Sequence, residues 1–241
     1  MFKYLTMLTL ASLLGACATE PLTLSESAEQ DYHKAERLIA ENFNGRAALY
    51  LGKFAAKYPY SKYATPAELL RIKAAYNNEE FILSETLSKR FIEAHPNHPE
   101  LDYVQYTLAM SYFHQSEDAS HEQVFSQKAR DAFIALNQQN PNHKYKAEVD
   151  KYLNIVVHRM AKHEMLIGKF YYERNFFVAA TNRFIVVKNK FMNTDIAAES
   201  LYWLASSYLA LQQDAHAKEV IQTLSQQFPG NAWQKKAENL L

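Results

Sequence analysis

Between Pro141 and Arg183, apolar and aromatic residues recur at Tyr145, Val149, Tyr152, Val156, Met160, Ile167 and Phe170, with His163 filling the one gap. The pattern covers 25 residues in seven steps, close to the helical period of 3.6. It predicts one long helix, opened by Asn140-Pro141-Asn142 and broken at Arg174-Asn175. At 1.5 Å per residue the helix spans about 40 Å, the diameter of a small domain. One short neighbour cannot cover such a stripe. Helical pairs are therefore expected on both sides, in two lobes joined by a rigid element.

The rest of the chain carries a repeat. A small residue stands at Ala47, Ser84, Ala129, Ala180 and Ala217. Four residues on are Leu51, Phe133, Phe184 and Ile221, with Ser88 the exception, and seven on are Phe54, Phe91, Leu136, Val187 and Leu224. These offsets share one helical face, and the small residue lets a neighbouring helix approach closely. Twelve residues on come Pro59, Pro96, Pro141, Met192 and Pro229. Proline lacks the amide hydrogen and disfavours helix in the residue before it, so it ends each helix. The units lie 37, 45, 51 and 37 residues apart, near the roughly 34-residue period of tetratricopeptide (TPR) repeats plus insertions. Each unit is expected to be a helix–turn–helix, stable only when stacked on its neighbours.

First helices are expected at 28–41, 64–76, 99–114 and 196–211. The turns after them fall at Asn44-Gly45, Asn77-Asn78, a polar loop 115–121, and 212–214. A capping helix over 232–241 follows Pro229-Gly230. The expected fold is all-α: a TPR-like α-solenoid of five helix–turn–helix units, with a long central helix and a C-terminal capping helix. Units 1–3 occupy residues 28–140, and the long helix with units 4 and 5 occupies 141–241.

Composition agrees. Of 241 residues, 48% are hydrophobic, Gly (5) and Pro (7) are scarce, and Gly168 is the only glycine between Pro141 and Pro229. A turn-rich β protein is excluded. Formal net charge is zero, which argues against a dedicated nucleic-acid binder, since phosphate neutralisation needs a basic excess.

The first residues follow a different rule. Lys3 supplies a short positive region, and residues 5–14 an apolar one too short to span a bilayer. Leu14-Gly15-Ala16-Cys17 then resembles the lipobox of bacterial lipoproteins, in which the cysteine thiol is diacylated and becomes the new N-terminus. Residues 1–16 read as a signal peptide and 17–27 as a lipidated tether. Cys17 is the only cysteine, so no internal disulfide is available, and acyl chains on it would hold the protein firmly on a membrane. Ala18 follows, not the Asp associated with inner-membrane retention, which favours the outer membrane.

No catalytic constellation is visible. The nine histidines are scattered. His158 and His163 are five apart and do not share a face as metal ligands would, and His163-Glu164 lacks the second histidine of a zinc protease. There is no glycine-rich phosphate loop. No enzyme activity, metal or cofactor is expected. Tyr60 and Tyr63 after Pro59, and Tyr103 and Tyr106 after Pro99, begin first helices, which line a solenoid's concave face. Two readings stand for them: core packing, or a groove for extended peptide, where tyrosine offers apolar area and a hydroxyl at small entropic cost.

Specific motifs point further. Lys57-Tyr58-Pro59-Tyr60, residues 90–103 (RFIEAHPNHPELDY), and Ala161-Lys162-His163-Glu164 leading into residues 171–183 (YYERNFFVAATNR) accompany the lipobox. With these pieces, the chain from Tyr32 to Leu224 resembles the BamD family, TPR lipoproteins of the β-barrel assembly (BAM) machinery. The resemblance implies a non-enzymatic scaffold at the periplasmic face of the outer membrane, aiding insertion of outer-membrane proteins. Its implied partners are the periplasmic domains of BamA, other BAM lipoproteins and unfolded outer-membrane proteins. It places Arg183 with Asn182, and Arg174 with Glu173, in the half that meets BamA. For each arginine an interface charge and a structural ion pair stand as alternatives. The chain departs from the family in its third-unit loop, in Ser61-Lys62 and at Met192. A TPR lipoprotein of another envelope machine, such as one for pilus-secretin assembly, is the alternative function.

Overall fold

The computed structural model describes residues 22–241. Cys17 and the signal segment lie outside the described residues. Twelve helices and no strand occur among the described residues. The first unit pairs α1 (Ala28–Ala40) with α2 (Asn44–Gly52), which continues past Lys53 as α3 (Phe54–Lys57). The next four pair α4 (Ala64–Asn77) with α5 (Phe81–Ala94), α6 (Leu101–Gln115) with α7 (Val124–Gln139), α8 (Lys146–Tyr172) with α9 (Phe177–Lys190), and α10 (Ile196–Ala210) with α11 (Asp214–Gln227). The last helix, α12 (Ala232–Glu238), packs on α10 and α11. Each helix touches its sequence neighbours and the first helix of the next unit, the contact pattern of a solenoid. The fold is a TPR-like stack of helical hairpins.

The repeat read from the sequence is the buried seam. Ala47, Ser84, Ala129, Ala180 and Ala217 are inaccessible to solvent, as are Phe54, Val187 and Leu224, with Phe91 and Leu136 nearly so. Ser88, the exception at offset four, is equally buried. The backbone repeats as well. Tyr58, His95, Asn140, Phe191 and Phe228 close the second helices with φ between −128° and −138°, each N–H bonding the carbonyl of the offset-seven residue. Phe191 does so ahead of Met192, so the turn forms without proline there.

The turns within units repeat too. Asn42, Glu79, Asn175 and Gln212 have φ of 58–63°. Each stands five residues before its unit's small marker. The next residue's N–H reaches back to Leu38, Ala75, Tyr171 and Tyr208, closing the preceding helix. The first of these turns therefore sits at Asn42, and Asn44-Gly45 opens α2 instead of forming the turn expected there. The third unit has a longer loop, whose Gln123 amide bonds the carbonyls of Asp118 and His121. Arg159 and His163 of α8 hold the loop through Ser116 and the carbonyl of Ala119.

Helix α8 is unbroken through Gly168. Its buried line begins as expected with Val149, Val156 and Met160, then moves to Ala161, Met165 and Gly168. Ile167 is half-buried and Phe170 is half exposed. The change follows a change of neighbours: the first residues join a core with α6 and α7, whereas Met165 joins the core of α9, α10 and α11.

The segment before α1 is docked, not free. Leu22 and Leu24 pack on the first unit's core. The Ser25 N–H donates to Asp31 Oδ1 (2.8 Å), Lys57 Nζ to the Ser25 carbonyl (2.5 Å) and Lys53 Nζ to the Leu22 carbonyl (3.2 Å). The Tyr58 hydroxyl bonds the same Ser25 carbonyl. Asp31 is buried and also accepts from Tyr50 (2.6 Å) and Tyr58 (2.8 Å). Burial alone would raise its pKa; the hydrogen bonds outweigh burial and hold it below the usual carboxylate value.

Candidate functional site

The connection between α8 and α9 is built by close packing. A Cβ on Gly168 would stand 2.5 Å from Cε1 of the buried Phe184, so only glycine lets α9 lie this near. That approach sets Arg183 beside α8, where its Nη1 donates to Glu164 Oε2 at 3.1 Å. Arg183 keeps 42% of its side chain exposed, against 20% for Glu164. Its ion pair and its accessibility coexist. Arg183 and Asn182 line a shallow depression of about 290 Å³ with Tyr171, Ala179 and Val186.

Glu173 and Arg174 lie in the α8–α9 turn and are exposed. Arg174 is anchored: its guanidinium sits 3.7 Å from the centre of the Phe170 ring, and Nη1 donates to the Phe170 carbonyl at 3.1 Å. Around it Phe170, Phe176 and Val178 are 50%, 60% and 63% exposed. The sequence pattern placed Phe170 on the buried stripe and did not single out Phe176 or Val178. Val178, two residues before Ala180, falls on the helix face opposite the seam, which is a legible signal of an apolar residue facing out.

The four tyrosines separate. Tyr60 is fully exposed in the turn after α3. Tyr63 stacks on Tyr32 (5.2 Å between centres) and donates to Glu29 at 2.9 Å. Tyr106 stacks on Tyr145 (4.4 Å, 6°) and donates to Glu148 at 2.7 Å; burial first and this carboxylate second raise its pKa. Tyr103 alone of the four lines the pocket of about 280 Å³ between α1, α4 and α6, with Tyr32, Pro66, Leu69, Leu70, Lys73, His98 and Glu100. Burial pushes its phenol up to about 12, so it stays a neutral hydrogen-bonding group.

Among the described residues, no group of three or more His, Cys, Asp or Glu is placed to hold a metal, and no helix is long and apolar enough to cross a membrane. Stacked hairpins with an exposed aromatic turn and a shallow inner pocket define a class: a helical-repeat protein with surfaces for other molecules. The family described as YfiO, outer membrane lipoprotein, matches residues 25–224, and the chain belongs to it. Relatives named outer membrane protein assembly factor BamD include those of Rickettsia prowazekii, at 27% identity over 87% of this chain and 84% of the relative. That of Caulobacter vibrioides is 29% identical over 86% and 68%, and that of Neisseria gonorrhoeae 27% over 97% and 96%. A solved Podosopora anserina structure, described as a kinesin light chain with nearly identical TPR-like repeats, aligns over 90% of this chain at 14% identity and a TM-score of 0.41.

Proposed function

We propose that this chain is a non-enzymatic scaffold lipoprotein of the outer-membrane β-barrel assembly machinery. It is anchored through Cys17 at the periplasmic face of the outer membrane and aids insertion of outer-membrane proteins. The observation that carries the reading is the α8–α9 surface: Arg183 half exposed beside Glu164, and Arg174 fixed on Phe170 among Phe176 and Val178. A rigid arginine set among exposed aromatics is the composition of an interface hot spot. Membership of an outer membrane lipoprotein family, and relatives named for outer-membrane protein assembly, favour BamA's periplasmic domains as the occupant. Other lipoproteins of the complex and unfolded outer-membrane proteins are further partners. The Tyr103 pocket is the candidate groove for an extended segment of the latter. Co-purification from detergent-solubilised membranes tests the reading. Recovery of BamA supports it; a secretin in BamA's place assigns the protein to another envelope machine. Cys17→Ala is expected to release the chain from membranes.

A further inference from the structure

We infer that the first unit lies against the membrane surface, with the edge formed by Lys53, Lys57, Tyr60 and Lys62 on lipid headgroups. This rests on the lipid anchor proposed at Cys17. Residues 22–27 are fastened to that same edge through the lysine and Tyr58 bonds to the carbonyls of Leu22 and Ser25. Leu22 and Leu24 are packed into the core beneath. Five residues lead from Cys17 to Leu22, a reach of at most about 18 Å at full extension. The fold begins where the tether is clamped, so the first unit is held within about 18 Å of the bilayer.

What that edge presents suits an interface. Tyr60 is wholly exposed at the tip of the turn, and Ala55 and Ala56 are exposed beside it. Lys62 is exposed, its ammonium 4.9 Å from the centre of the Tyr63 ring. Tyrosine sits well at headgroup level with its ring in the apolar boundary and its hydroxyl in water. Lysine lays its stem along apolar surface and keeps its charge at the headgroups. Three carboxylates border the edge: Glu26, 3.4 Å from Lys57; Glu29, which accepts from Tyr63; and Asp31, which accepts from Ser25 and Tyr58. Three lysines match them in number, and Lys53 and Lys57 are engaged with the tether carbonyls, so Lys62 is the lysine left to meet an anionic headgroup.

The test uses the lipidated full-length chain in vesicles of phosphatidylethanolamine and phosphatidylglycerol. Cys17 is blocked by its lipid, so Ala56→Cys takes a polarity-sensitive fluorophore, with Gln226→Cys on α11 as the distant reference. The expected result is blue-shifted emission at position 56 and iodide quenching severalfold weaker than at 226. Lys62→Gln is expected to lower the bound-to-free ratio of the edge about fivefold, the effect of one basic residue near an anionic surface. Equal quenching at both positions, in protein that still floats with the vesicles, overturns the inference and leaves the anchor standing. Unchanged shielding in Lys62→Gln overturns the part assigned to that lysine. Protein that does not float at all overturns the anchor and the inference with it.

Discussion

The Phe184 ring rests on the backbone of Gly168, with no room for a methyl group between them. A glycine inside a helix costs about 1 kcal/mol relative to alanine. Here the loss is offset by the close approach of α9 to α8, which sets Arg183 opposite Glu164. Gly168→Ala is therefore expected to destabilise the fold by about 1–3 kcal/mol despite the better helix former, measured by urea denaturation. Phe184→Leu in the same background should recover part of the loss.

Reversing Arg183 to Glu places two carboxylates together on a partly exposed surface. The stability cost is expected to be about 1 kcal/mol or less, while BamA capture falls at least about tenfold by loss of a charged contact. Glu164→Gln frees Arg183 without removing it and should leave capture near the wild-type level. If both variants bind normally, the pair serves only to join α8 and α9.

Phe176→Ser combined with Val178→Ser removes exposed apolar area and almost no core. Thermal unfolding should move by about 0.5 kcal/mol or less. BamA binding measured on the same preparations should weaken by about tenfold or more. Normal binding would move the interface off the α8–α9 turn.

Gln212 holds φ at 58° in the turn before α11. A non-glycine residue there costs roughly 1–2 kcal/mol, partly balanced by glycine's greater freedom when unfolded. Gln212→Gly is expected to stabilise the chain by roughly 0.5–1 kcal/mol, read as a higher urea midpoint at unchanged slope. The same change at Glu79 should act alike.

Asp31 carries the tether's attachment to the first unit. Its folded pKa lies below the ordinary 3.8, so its stabilisation is present above that value and lost as pH falls through the folded value. Asp31→Asn should cost about 2 kcal/mol at neutral pH, the scale of hydrogen bonds to a charged group. The gap between wild type and variant should begin to shrink as pH falls below 3.8 and close beneath the folded value in acid-denaturation curves. A gap that persists at low pH would remove the carboxylate charge from the account.

The repeat was legible because every marker at offsets zero, four and seven is buried for the same reason in each unit. A helix–turn–helix has one apolar face, and stacking gives each face an equivalent environment. The turns at Asn175 and Gln212 fall where the sequence placed them, whereas Asn42 and Glu79 lie two residues before and one after the expected Asn44-Gly45 and Asn77-Asn78, because backbone bonds to Leu38 and Ala75 set where each helix closes. Arg174 and Arg183 were found through a family motif. The sequence could not tell that one is stacked on Phe170 and the other paired with Glu164 yet still accessible.

The sequence by itself determined the all-helical stack, its five units and the long α8, because helical period and proline spacing are local properties. The tertiary structure alone decided which side of α8 is buried past Met160, that the tether is clamped through Asp31, and that Phe170, Phe176 and Val178 face outward. Those outcomes depend on which neighbours lie across the packed faces, and no spacing within one helix records its neighbour.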